Sequence, residues 1–287
     1  MLNPAMQKAE ILVEALPYIK DFYGKRVVIK YGGAAMTDCD LKNKVMQDIV
    51  LMKFVGMHPI VVHGGGPEIN QMLARLNIKS EFINGLRVTD QPTMEVVEMV
   101  LGGKLNKEIV AGINASGGRA IGLSGKDDRL IEASFLDPSG KMGFVGAVKK
   151  INPAIIDVLI ENGYIPVIAP IGIGDTGETY NINADLVASA IAVAIKADKL
   201  VLLTDVPGLL RDPEDPDSLI SVLHLDQIEG LNQEGIIAGG MLPKVQCCAE
   251  SVRGGVGRTH IIDGRLPHSI LLEIFTRQGI GTMVVDH

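Results

Sequence analysis

The sequence predicts an α/β fold in three layers, an open and mainly parallel sheet sandwiched between helices. Three observations lead there. Short runs rich in β-branched residues recur along the 287 residues, and several are apolar at consecutive positions, as strands covered on both faces should be. Amphipathic stretches alternate with them, the pattern that parallel strands and crossover helices produce. Glycine-rich turns follow two of the runs, at strand ends where open α/β sheets bind ligands.

The elements follow in chain order. Residues 4–23 place Leu12, Leu16, Ile19 and Tyr23 on one apolar stripe at helical spacing. Pro17 is expected to kink that helix, because it removes an N–H and crowds the preceding turn. The stripe needs a cover, and pattern alone leaves this open between the chain's own domain and a second subunit. Strands are predicted at 27–31, 60–63, 120–123, 165–169, 200–204, 260–262 and 282–285, and helices at 67–76, 184–197 and 242–252. Two short runs within 130–149 flank Asp137-Pro138-Ser139-Gly140, which suggests an appended hairpin. A glycine-rich stretch at 170–180 reads as a loop and a weak boundary. It divides the chain into an N-terminal helix (1–24), an N-terminal lobe (25–170) and a C-terminal lobe (171–287). Residues 213–217, acidic and proline-containing, read as a solvated connection.

With 47% hydrophobic and 21% charged residues the composition is that of a folded soluble protein. A net charge of −7 argues against non-specific attraction to nucleic acid or to an anionic membrane. Anionic ligands must then be met by locally placed Lys, Arg and backbone N–H groups. The three cysteines form no disulfide framework and no zinc spacing; adjacent Cys247 and Cys248 are either redox active or small buried side chains on a helix. No signal-peptide core and no run approaching about 18 apolar residues is visible, so a cytoplasmic protein without a membrane span is expected.

Candidate chemistry sits at the strand ends. Lys30 closes the first strand and is followed by Gly32 and Gly33, which would let backbone N–H groups approach phosphate; a plain strand–helix turn with an exposed lysine fits as well. His63-Gly64-Gly65-Gly66-Pro67 is a stronger anion cradle, since a structural turn seldom needs three glycines and Pro67 suits the first turn of a helix. His63 itself reads as a packed strand-end residue rather than a base. Arg87, after the Asn84-Gly85 turn, can clamp a carboxylate or sit in a surface ion pair. Asn181 or Asn183 can cap the following helix, but a cap does not account for two amides plus Asp185 in five residues. Thr204-Asp205-Val206-Pro207-Gly208 closes another strand. Lys244 opens a helix whose dipole it opposes, locally unfavourable by ~0.3–1 kcal/mol, and such a residue is a candidate for function. Gly172–Gly177 matches G-x-G-x-x-G without opening a helix, and no Walker A or protein-kinase motif is present.

Taken in order, six segments resemble the amino acid kinase family, and within it the acetylglutamate kinases: IKYGGAAM (29–36), HGGGPEIN (63–70), NGLRVTD (84–90), YNINAD (180–185), LLTDVPGL (202–209) and MLPKV (241–245). The resemblance implies that the N-terminal lobe binds N-acetyl-L-glutamate and the C-terminal lobe ATP, with Mg²⁺ arriving on the nucleotide. It implies direct in-line phosphorylation of the side-chain carboxylate. Lys30 and Lys244 would stabilise the transferring phosphoryl group, and Asp185 would hold both. Gly65, Gly66, Arg87, Asn181 and Asn183 would bind the substrate; Gly32, Gly33, Thr204, Asp205, Gly208 and Lys244 would bind the nucleotide. The N-terminal helix resembles that of the arginine-inhibited members, whose dimers join into hexamers. Their effector site corresponds here to Tyr18, Lys199, His260, Glu273 and Gly281. Some of these relatives also bind a P-II-type signalling protein. The alternatives are a family member acting on glutamate, aspartate, carbamate or a nucleoside monophosphate, or a non-catalytic amino-acid sensor; a dinucleotide oxidoreductase rests only on Gly172–Gly177.

Overall fold

The computed structural model describes residues 4–276 and 279–286. The outer ends of the expected segments 1–24 and 171–287 therefore lie partly outside the described residues. The strands are β1 (Arg26–Tyr31), β2 (His58–His63), β3 (Phe82–Ile83), β4 (Leu86–Arg87), β5 (Ala120–Ser124), β6 (Ile131–Phe135) and β7 (Gly146–Ile151). They continue as β8 (Ile165–Ala169), β9 (Ile171–Ile173), β10 (Thr179–Asn181), β11 (Lys199–Thr204), β12 (Val222–His224), β13 (Arg258–Asp263) and β14 (Thr282–Val285). The first helices are α1 (Pro4–Phe22), α2 (Cys39–Phe54), α3 (Gly66–Arg75), α4 (Gln91–Glu98) and α5 (Asn106–Ala115). After them come α6 (Ala154–Glu161), α7 (Ala184–Ala194), α8 (Ile228–Gln233), α9 (Met241–Arg253) and α10 (Ser269–Phe275).

Eight strands form the central sheet in the order β12-β14-β13-β11-β1-β2-β8-β5. Its pairs are parallel except β13 with β14. Every residue of β8 and β11 is buried, which is why those runs read as uninterrupted hydrophobic segments. The pleat divides β1 between two cores: Val27, Ile29 and Tyr31 enter one, and Val28 enters the other with Val187 of α7 and Val245 of α9. Lys30 shares the Val28 side and reaches the top of that second core, where α7 and α9 begin.

The predicted hairpin is present as antiparallel β6 and β7. The stretch 170–180, expected as a loop, instead supplies β9 and β10, which complete a four-stranded sheet in the order β10-β9-β6-β7. Its glycines serve close packing: a Cβ on Gly172 would lie 2.7 Å from both Ala133 Cβ and Ile182 Cδ1. Helix α7 stops at Ala194 rather than 197. Lys196 adopts a left-handed conformation and Ala197 N–H returns to Ala192 O at 2.8 Å, a Schellman ending without the glycine that normally announces one. Segment 213–217 is exposed, as expected.

Helix α1 runs through Pro17 and packs against α10. Its apolar stripe is covered only in part by its own domain: Ile19 is half-buried, whereas Leu12 is 72% and Leu16 60% exposed. Cys247 and Cys248 are buried on α9; burial pushes both thiols up, Cys248 to about 12, so they stay protonated and act as packing groups. Among the described residues no helix is long and apolar enough to cross a membrane.

Candidate active site

Three charges from distant parts of the chain meet above the C-terminal ends of the parallel strands. Lys30 Nζ, from β1, lies 3.0 Å from Asp185 Oδ1, and Lys244 Nζ, from α9, lies 3.4 Å from Asp185 Oδ2. Asp185 sits in the first turn of α7 because Asn183 caps that helix, its Oδ1 accepting from Asp185 N at 2.8 Å and Leu186 N at 3.3 Å. Burial alone would raise the Asp185 carboxyl, but the two ammonium groups outweigh it and hold the group below its ordinary range. The same carboxylate offsets the penalty Lys244 incurs at a helix N-terminus. A Cβ on Gly32 would stand 2.9 Å from Lys30 Nζ, so a side chain there would shift the ammonium from its place in this cluster. Gly33, at φ 68°, lies where a side chain would collide with the Asp205 carboxylate.

Two cavities are lined by residues adjoining this cluster in the chain, one by Asn183 and Ala184 and the other by Met241. The first, of about 190 Å³, is lined by Gly65, Gly66, Arg87, Asn181 and Asn183, all five residues expected to bind substrate. Gly65 has no room for a side chain, since a Cβ would lie 2.5 Å from Leu101 Cδ2. The Arg87 guanidinium is buried; it donates to Ser80 Oγ and, at 3.3 Å, to Gly66 O, and lies 4.8 Å from the Phe82 ring centre. Asn181 Nδ2 donates to Thr89 Oγ1 at 3.1 Å. The second cavity, of about 460 Å³, is lined by Asp205, Gly208, Leu209, Ile236, Met241 and Arg265 among others. Thr204 turns inward: its hydroxyl donates to Val206 O at 3.0 Å and accepts from Val206 N at 3.2 Å, so it shapes the loop that carries Asp205.

Residues 25–263 match the Amino acid kinase family. The chain belongs to that family. It is 77% identical over 286 residues, with 100% of each chain covered to the nearest per cent, to an acetylglutamate kinase of Syntrophomonas wolfei subsp. wolfei. It is 63% identical to an acetylglutamate kinase of Heliobacterium modesticaldum, across 98% of this chain and 99% of that one. Among solved structures, N-acetylglutamate synthase from Neisseria gonorrhoeae, complexed with coenzyme A and N-acetyl-glutamate, superposes with a TM-score of 0.86 at 26% identity. That likeness covers 97% of this chain and 63% of the synthase, so this chain spans under two thirds of that protein's length.

A third cavity is present among the described residues. It measures about 270 Å³ and is lined by Tyr18, Lys199, His260, Glu273 and Gly281, which are scattered from α1 to the last strand. Glu273 is buried yet held below its ordinary range. Burial works to raise it, and is outweighed by His260 Nδ1 at 2.6 Å and by the N–H groups of Ile280 at 2.7 Å and Gly281 at 3.2 Å. Burial likewise keeps His260 neutral, so its Nδ1–H donates to the carboxylate. Lys199 is lowered to about 8 by burial and by Arg258, and its Nζ lies 4.4 Å from the Phe22 ring centre. Ser80, Phe82, Ile236 and Arg265 are candidate site residues the sequence did not reveal. They belong to no motif and are brought in by folding alone.

Proposed function

We propose that this chain transfers the γ-phosphoryl group of ATP to the side-chain carboxylate of N-acetyl-L-glutamate. One observation carries the reading: the Lys30–Asp185–Lys244 cluster adjoins in the chain a small cavity carrying an arginine and two amides, through Asn183 and Ala184, and a larger cavity behind a strand-end loop, through Met241. A substrate carboxylate with an ordinary pKa of about 4.3 is already ionised at neutral pH, so no general base is required. The task is to align two anions and neutralise the moving charge. Lys30 and Lys244 would do so from two sides while Asp185 fixes their spacing. Arg87 would hold the substrate's α-carboxylate, and Asn181 and Asn183 its acetamide. Gly65 and Gly66 would offer backbone contacts.

ATP would occupy the cavity beside Asp205 and Gly208, with Gly32, Gly33 and Lys244 toward its phosphates. On this reading residues 25–170 form the acetylglutamate lobe and 171–287 the ATP lobe. Among the described residues no three His, Cys, Asp or Glu side chains converge as a metal cage, and Asp185 is committed to two lysines. That donor set fits a Mg²⁺ ion held by the nucleotide's phosphates and water, where it would supply charge neutralisation. The third cavity would take L-arginine as an inhibitor, and the exposed stripe of α1 would pair dimers into a hexamer; a P-II-type protein remains a candidate partner.

Trapping acyl phosphate as a hydroxamate, with ATP and a panel of acidic amino acids, tests the assignment. N-acetyl-L-glutamate should be turned over far better than L-glutamate, because no carboxylate in the cavity is committed to a free ammonium. Equal turnover of both would overturn it.

A further inference from the structure

The substrate cradle rests on a buried polar pair that the reaction as proposed does not use. His63 closes β2 and is fully buried, and so is Asn106, the first residue of α5. His63 Nδ1 lies 2.8 Å from Gly64 O, and its Nε2 lies 3.3 Å from Asn106 Nδ2. The carbonyl can only accept, so Nδ1 must carry the proton. The amide orientation is set independently. Its nitrogen also faces the Val167 carbonyl at 2.9 Å, while its oxygen receives Lys107 Nζ at 3.1 Å. Asn106 thus presents a donor to Nε2, which must be bare. Two separate hydrogen-bond requirements select the same neutral tautomer.

We propose that His63 is a positioning residue: its Nδ1–H holds the Gly64 carbonyl and thereby aims the Gly65 N–H at the anionic group in the substrate cavity, with Asn106 selecting the tautomer that does so. The peptide plane provides the lever. In a trans peptide the C=O of Gly64 and the N–H of Gly65 point in opposite directions, so fixing the one orients the other. The chain is pinned on the other side of Gly64 as well, where its own N–H donates to Tyr31 O at 2.7 Å. From above, Leu101 and Leu105 of the π-helical turn Met99–Leu105 press on Gly65, and that turn leads directly into Asn106. A glycine cradle is mobile by composition; here a neutral imidazole, two leucines and a strand carbonyl restrain it. Burial holds His63 down at about 4, so the device does not change charge across the physiological range.

This inference rests on the proposed placement of the substrate anion against Gly65, and two measurements separate the two claims. In the protein labelled with ¹⁵N-histidine, His63 is assigned by difference from His63→Asn; its imidazole should show a protonated Nδ1 and a bare Nε2, unchanged between about pH 5 and 8. An Nε2–H tautomer, or titration near pH 6.5, would overturn the proposal whatever the substrate. The second measurement compares His63→Asn, whose amide can donate from the Nδ1 position, with His63→Gln, whose amide reaches only toward Nε2. Both are first checked for wild-type secondary structure and a cooperative thermal transition. His63→Gln should lose ~10²-fold in kcat with little change in KM for ATP, the scale of one misdirected oxyanion donor. His63→Asn should recover most of that loss. Equal activity of the two folded variants would show that the imidazole is only packing.

Discussion

Asp185 shows how a residue can organise a candidate site without taking part in proton transfer. Buried between two ammonium groups, it is ionised by their field, and its carboxylate fixes where both lysines stand before any phosphate arrives. Charge stabilisation realised in the transition state appears in kcat, so Lys30→Ala and Lys244→Ala should each lower kcat by ~10²–10³ while KM for acetylglutamate changes little. Steady-state kinetics decide it: a variant with near-normal kcat would reduce that lysine to an exposed charge. Lys→Arg should fail at either position too, since a planar fork cannot occupy the place of a compact ammonium. Gly65→Ala should be nearly inactive though folded, because the new methyl would displace Leu101 or tilt the peptide. Of these residues, the lysines, Asp185 and the glycines stand in sequence motifs. Ser80, which supports Arg87, does not, since an isolated serine in a polar stretch carries no local signal.

Between elements, the link from α2 to α10 has a measurable signature. Asp48 of α2 is fully buried, its Oδ1 lies 2.6 Å from Nδ1 of His268, and its Oδ2 has no hydrogen-bond partner. His268 precedes α10 in a left-handed conformation, and α10 carries Glu273 into the third cavity. Burial raises the Asp48 carboxyl to about 6 despite the opposing bond and charge of His268. The folded state therefore holds this proton more tightly than the unfolded chain. The resulting stabilisation is complete below about pH 4 and is lost as pH rises through about 6. Asp48→Asn cannot ionise, so between pH 5 and 8 wild type should lose about 1–2 kcal/mol more than the variant. Urea denaturation across that range tests the sign; a wild-type stability that rises relative to the variant's as pH increases would contradict it.

For the whole molecule, the exposed stripe on α1 sets the question. Leu12 and Leu16 face solvent in the single chain, and burying two such side chains against a symmetry mate is worth about 1.5–3 kcal/mol each. Tyr18 and Phe22, on the same helix, line the third cavity, so an effector there would join α1 to α10 and β14. Arginine inhibits only if it prefers a less active arrangement of the lobes. Deleting residues 1–22 should leave an active dimer that responds weakly to arginine. On the proposed reading Glu273→Ala should weaken arginine inhibition without breaking the proposed ring, although Ile280 and Gly281 would also lose the acceptor of their N–H groups. Sedimentation and arginine titration check both. A truncated protein that stays hexameric and fully arginine-sensitive would show that the helix has another role.

What the sequence by itself determined is whatever local periodicity and composition encode. The seven predicted strands all exist; those of the sheet centre, such as β8 and β11, are buried along their whole length, and the edge strand β5 is half-buried. The candidate site motifs stood out for a different reason: three consecutive glycines exceed what a turn needs, and Lys244 opposes the dipole of the helix it opens. Tertiary structure alone decided the rest. The direction of β14, antiparallel to β13, depends on where the chain returns and not on the residues of the strand. The sheet formed by 171–181 was hidden because glycines chosen for close packing look like glycines chosen for a turn. The tautomer of His63 needed Asn106, 43 residues away, and the meeting of Lys30, Asp185 and Lys244 needed the parallel sheet to bring three strand and helix ends to one edge. Local signals fix what a segment is; only the packed sheet fixes what it faces.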